Sequence, residues 1–123
     1  MSESARVTVL LVKEDGVSHA DFANFWLNEH PQLFQSLSIV KEKITKYDQA
    51  ITSPVAMGEI TVPRSVAITS DGLATFEART LEDIRDVFTS EEYLSTVSPI
   101  ALKYTKAGSH ILATKNVNVF TNI

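Results

Sequence analysis

The apolar and polar positions of this chain fall into segments with two different periods. Arg6 to Lys13 (RVTVLLVK) is short and rich in β-branched residues, which predicts a strand covered mostly on both faces. Asp15-Gly16 ends it as a turn. Ser18 followed by Asp21 resembles a capping box with a shortened acidic partner, and it predicts a helix from near His19 to about residue 36. At about 100° per residue, Phe22, Ala23, Trp26, His30, Leu33, Phe34 and Leu37 fall on one face of that helix, with His19 on the same stripe. Pro31 lies inside the pattern, where it removes one backbone bond and bends or breaks the helix near His30.

Ile39 to Ile51 alternates and predicts a second strand, with Tyr47, Gln49 and Ile51 on one face and Lys46 and Asp48 on the other. Residues 53–64, with Pro54, Gly58 and Pro63, read as a loop. Ser65 to Ala78 predicts a third strand, in which Asp71-Gly72 marks either a tight hairpin or a bulge. Thr80 caps a second helix through about Thr89, and Ser90 to Lys106 reads as helical pieces broken near Pro99. Gly108 ends them, and His110 to Phe120 closes the chain as a fourth strand.

The order β-α-β-β-α-β is that of a ferredoxin-like α+β fold, one domain over residues 1–123 with a four-stranded antiparallel sheet and both helices on one face. Nothing else in the chain covers the other sheet face. Apolar residues on the first, third and fourth strands predict that two copies pair their sheets across a two-fold axis, with Lys46 and Asp48 pairing across the interface.

Composition narrows the function classes. The 11 basic residues are scattered and net charge is −4, so there is no concentrated basic footprint for nucleic acid. Cysteine is absent, which excludes disulfides, thiolate nucleophiles and thiolate metal sites. The sequence Met-Ser-Glu-Ser-Ala-Arg lacks a charged-then-apolar signal layout and no apolar run approaches a membrane span, so a cytoplasmic location without membrane attachment is expected.

Candidate chemistry centres on histidine. His19 and His30 are separated by about 16 Å along a straight helix and cannot share a metal ion. No phosphate-cradling glycine loop or dinucleotide fingerprint is present, so neither metal nor organic cofactor is expected. Trp26, Leu33 and Phe34 exclude water from His30, and the carbonyl freed by Pro31 is available to orient the imidazole. A neutral histidine in that setting moves a proton near neutral pH. The same placement also suits a structural histidine bonded to backbone. His19, in the first helical turn, suits a capping contact or a pocket rim. Tyr47 and Gln49 would bring a phenol and an amide to an otherwise apolar pocket, although Tyr47 also suits a core position with its hydroxyl tied to backbone.

Three stretches, VTVLLVKEDGVSHADFANFWLNEHPQLF, ITKYDQ and SDGLATFEARTLEDIRDVFTSEEYLSTVSP, resemble the EthD-type branch of the dimeric α+β barrel superfamily. Ser18, Phe22, Trp26 and His30 match its helix motif. Tyr47 and Gln49 match its "K-Y-x-Q" strand, Asp71-Gly72 its "D-G" strand and Tyr93 its "S-x-E-Y" helix. The resemblance implies a homodimer with a pocket between sheet and helices. It also implies similarity to fungal polyketide-tailoring lyases that dehydrate or decarboxylate aromatic intermediates without a cofactor. The site it suggests has His30 and Tyr47 as catalytic groups, with Phe22, Trp26, Phe34, His19, Gln49 and Tyr93 binding substrate. A polyketide cyclase or pericyclic catalyst, or a stress-response dimer that only binds its ligand, are the alternatives. Ile51, Ile100 and Ala101 replace polar residues frequent in the family, which removes a histidine and two carboxylates from the proton-transfer groups.

Overall fold

A computed structural model describes residues 4–52, 63, 70–106, 110–114 and 119–122. Strands β1 (Ala5–Leu11), β2 (Ile44–Ile51), β3 (Gly72–Ala78) and β4 (His110–Thr114) form one antiparallel sheet in the order β2-β3-β1-β4. Helix α1 (His19–Asn24) passes through a π turn (Phe25–Glu29) into α2 (His30–Ser36), which α3 (Ser38–Lys43) follows. After β3 come α4 (Leu81–Phe88), α5 (Glu91–Thr96) and α6 (Ser98–Ala101). The fold is the expected ferredoxin-like α+β arrangement.

The caps lie where the sequence places them. Ser18 Oγ accepts from Asp21 N–H at 3.0 Å, and Thr80 Oγ1 accepts from Asp83 N–H at 3.0 Å. Gly16 has φ +86°, the left-handed turn that glycine makes without strain. The last helical stretch is interrupted at Val97, just before Pro99.

The core lies between the helices and one sheet face. Phe22, Phe25, Trp26, Phe34, Val87 and Val97 pack there against Ala74 and Phe76. Antiparallel register places Tyr47 opposite Phe76 and Gln49 opposite Ala74, so both β2 side chains point into this layer.

Four expectations need correction. Residues 38–43 are helix, not the start of β2. Glu92 bonds there to Ser38 N–H and Ile39 N–H at 3.0 Å each and to the Ser38 hydroxyl at 2.6 Å, satisfying the α3 N-terminus from outside and overriding the local alternation. Asp71-Gly72 is not a hairpin, because β1 and β2 take both edges of β3: Asp71 Oδ2 accepts from Lys13 N–H at 2.9 Å and Gly72 opens β3. Strand β4 is described over His110–Thr114, and Val119 and Phe120, expected in it, are not strand and are exposed.

The fourth correction concerns the open sheet face. It carries Arg6, Thr8 and Leu10 opposite Glu77, Thr75 and Leu73, because strict alternation sends Val7, Val9 and Leu11 to the helices. It is therefore polar at its middle, with Arg6 and Glu77 paired at 3.5 Å. Lys46 is on this face, but it pairs within the chain with Asp48 at 3.6 Å and Glu77 at 3.9 Å. The predicted loop at 53–64 apart from Pro63, the start of the third strand at 65–69, and residues 107–109 and 115–118 lie outside the described residues.

Candidate active site

The site is built around an irregular turn. An α-helix would bond His30 N–H to the Trp26 carbonyl, but here it reaches one residue further back, to Phe25. The next N–H in that pattern would come from residue 31, and proline has none. The Trp26 carbonyl is instead taken by the Gln49 side chain, whose Nε2 donates to it at 2.6 Å. The carbonyl stranded by Pro31 therefore serves Gln49 and not, as the sequence suggests, the imidazole.

Gln49 Nε2 also donates to the Tyr47 hydroxyl oxygen at 2.8 Å, and that hydroxyl lies 2.7 Å from His30 Nδ1. With its oxygen accepting from Gln49, the Tyr47 hydroxyl has Nδ1 as the acceptor within its reach, the arrangement that leaves the His30 proton on Nε2. Burial lowers its pKa to about 4, so the ring is neutral at neutral pH. Burial likewise raises the Tyr47 phenol above its ordinary range, against a smaller opposing effect of the Gln49 bond. Nε2 has no hydrogen-bond partner among the described residues.

His30 borders a cavity of about 100 Å³ between sheet and helices. Val9, Leu11, Ala74 and Phe76 line it from the sheet. Phe25, Trp26 and His30 line it from the π turn, and Phe88, Tyr93, Ala101 and Thr105 from the C-terminal helices. No described lining side chain is charged at neutral pH. The Thr105 hydroxyl is bonded to the Ala101 carbonyl at 2.9 Å, which leaves His30 Nε2–H and the Tyr93 hydroxyl as the polar groups without partners among the described residues. Burial raises the Tyr93 phenol, so it too is neutral.

The structure divides the candidate residues. His30, Trp26 and Tyr93 line the cavity. Tyr47 and Gln49 stand behind His30, engaged with it and with the Trp26 carbonyl. Phe22 and Phe34 are fully buried core, Phe34 stacking on the His30 ring at 5.6 Å. His19 is exposed and off the buried stripe, because Ser18 caps the helix with that turn turned to solvent.

Phe25 is the residue that regular helical spacing misses. It lies roughly 120° from the stripe at 100° per residue. The π turn brings it inward, 1% exposed, to stack on Tyr104 at 4.3 Å and to line the cavity. Pro31 is the one sequence signal for that shift.

Among the described residues no three histidine, aspartate or glutamate side chains converge as a metal site, and no helix is long and apolar enough to cross a membrane.

No protein-family model and no curated protein matches the chain. Solved structures do match it in fold. A hydroxynitrile lyase from Passiflora edulis is 11% identical with a TM-score of 0.64, over 98% of this chain and 100% of its own. An EthD-like protein from Ralstonia eutropha is 10% identical with a TM-score of 0.62, over 98% of both chains. A dimeric protein of unknown function and ferredoxin-like fold from Bacteroides fragilis is 14% identical with a TM-score of 0.62, over 92% of this chain and 96% of its own. At these identities the likeness is one of fold, a ferredoxin-like fold shared with EthD-like proteins, and the chemistry has to be read from the cavity.

Proposed function

We propose that the chain is a cofactor-free lyase that decarboxylates an acid whose carboxyl carbon is β to a carbonyl or to an aromatic hydroxyl. The observation that carries this reading is the neutral His30, bonded at Nδ1 to Tyr47 and bordering a cavity lined mostly by apolar side chains. A fixed neutral donor suits an oxygen on which negative charge develops. In a β-keto acid the bond from Cα to the carboxyl carbon breaks and carbon dioxide leaves. The electron pair becomes an enolate, whose oxygen accepts from Nε2–H, and water then protonates Cα. An ortho-hydroxy acid first moves its phenolic proton to the ring carbon that bears the carboxyl, and the departing pair then enters a phenolate at the same position, which water protonates on oxygen. Dehydration needs a base at Cα, and among the described residues no carboxylate or lysine lines the cavity. A described lining without a cation leaves the substrate carboxylate unpaired there, which favours the charge-dispersed transition state.

Engineered cavities of about 150 Å³ hold benzene. A cavity of about 100 Å³ is smaller, so in this reading it takes only the carboxyl-bearing end of an aromatic polyketide acid. The test is release of carbon dioxide from a panel of aromatic β-keto and ortho-hydroxy acids. Turnover by the native protein and its loss in His30→Ala is the expected result. Tight binding of the same acids with no carbon dioxide released overturns the lyase reading in favour of a binding protein.

The protein also works as a homodimer in this reading. The Bacteroides fragilis protein of the same fold is dimeric. Light scattering at micromolar concentration should give twice 13.6 kDa, and a monomer mass overturns the dimer.

A further inference from the structure

We propose that Gln49 is a positioning residue that decides which nitrogen of His30 carries the proton, and so sets the cavity to receive a hydrogen-bond acceptor. The inference rests on the lyase reading only for the identity of the acceptor as a reacting oxygen. Its starting point is a group with no freedom of choice. The Trp26 carbonyl accepts and never donates, so the Gln49 amide 2.6 Å away must turn its NH2 group toward it. The second hydrogen of that group then meets the Tyr47 oxygen at 2.8 Å, and the Tyr47 hydrogen goes to His30 Nδ1 at 2.7 Å. The carbonyl fixes the amide, and among the described residues Nδ1 is the acceptor left within reach of the Tyr47 hydrogen.

The anchor of this relay is a helix defect. The π turn carries His30 N–H to the Phe25 carbonyl, and Pro31 brings no N–H to Trp26. A regular helix would occupy that carbonyl and leave Gln49 free to rotate. With the amide reversed, Tyr47 would donate to the Gln49 oxygen and accept from Nδ1–H. His30 would then present a bare Nε2, which is a base rather than a donor. One pair of bonds thus separates a cavity that holds a carbonyl or enolate oxygen from one that takes a proton from a hydroxyl.

Gln49→Glu tests this directly. The introduced carboxylate has no hydrogen for the Trp26 carbonyl or for Tyr47, so it accepts the Tyr47 hydrogen and lets the Tyr47 oxygen accept from Nδ1–H. Two-bond proton–nitrogen correlation spectra of the substrate-free protein at neutral pH read the tautomer of His30. The native protein should show the proton on Nε2, Gln49→Glu the proton on Nδ1, and Gln49→Leu a mixture of both. Turnover of Gln49→Glu should fall roughly 10²–10³-fold, as when one oxyanion donor is removed. A native spectrum with the proton on Nδ1 overturns the proposal, even if no variant folds. So does a folded Gln49→Glu or Gln49→Leu protein that keeps Nε2–H alone. The expected tautomers without any carbon dioxide release would instead sink the lyase reading and leave the relay standing.

Discussion

The Tyr47 hydroxyl sits 2.7 Å from His30 Nδ1 and joins the edge strand β2 to the first turn of α2. The phenol ring itself is held independently, stacked on Phe76 at 4.8 Å and edge-on to Phe34 at 5.1 Å. Tyr47→Phe should therefore keep the packing and remove only the hydroxyl. Nδ1 and one Gln49 hydrogen lose their partner, a cost of about 1–3 kcal/mol for unsatisfied buried groups. Thermal unfolding should show that loss, and turnover of the folded protein should fall as well.

His30→Ala is expected to lower turnover by roughly 10²–10³-fold by removing the donor at the developing oxyanion. It should also destabilise the fold, since it empties space among Phe25, Trp26 and Phe34 and strands the Tyr47 hydroxyl. Ile84→Ala provides the comparison. Ile84 is buried in a separate cluster with Val7 and Ala78 and is not among the cavity's lining residues, so this variant should lose stability while the folded fraction keeps near-native turnover. Equal losses of turnover in the two variants would remove His30 from the reacting centre.

The pH dependence of stability follows from the burial of His30. Its folded pKa of about 4 lies below the unfolded value near 6.5. Below 6.5 the unfolded chain binds a proton that the folded chain refuses, so stability falls as pH drops from about 6.5 to about 4. The total is roughly 3 kcal/mol, all of it present again above the unfolded pKa. Urea unfolding at several pH values should show this slope in the native protein. His30→Phe should show a shallower one over the same window.

Much of this architecture is legible in the chain because local and tertiary preferences agree. Ser18 and Thr80 cap helices whose apolar faces point to the sheet, and alternation puts Tyr47 and Gln49 on the helix side of β2. The misreadings occur where a distant group decides the local structure. Residues 38–43 alternate like a strand, yet a carboxylate from α5 caps them as helix. Phe25 falls off the predicted stripe because the π turn changes the helical period. Tyr47 and Gln49 sit in the site as expected, but the direction of their bonds depends on the Trp26 carbonyl, and a backbone acceptor leaves no mark in a sequence.

Gly72 gives a test of how tightly the wall behind the site is packed. It opens β3 beneath the start of the helix layer, and its need for glycine comes from space, since its φ is not in the left-handed region. A Cβ there would lie 3.2 Å from Trp26 Nε1 and 3.3 Å from two atoms of the Phe22 ring. Neither ring retreats easily. Phe22 is fully buried, and Trp26 is tied to the Ala50 carbonyl through Nε1 at 3.2 Å. Gly72→Ala should therefore cost about 1–3 kcal/mol, the usual penalty for overpacking a filled core. Because Trp26 also lines the cavity, the shift should reach the site, changing the fluorescence of this single tryptophan and weakening substrate binding. A Gly72→Ala protein with native thermal midpoint and native tryptophan emission would mean that the layer between β3 and α1 has slack, and that Trp26 does not set the cavity wall.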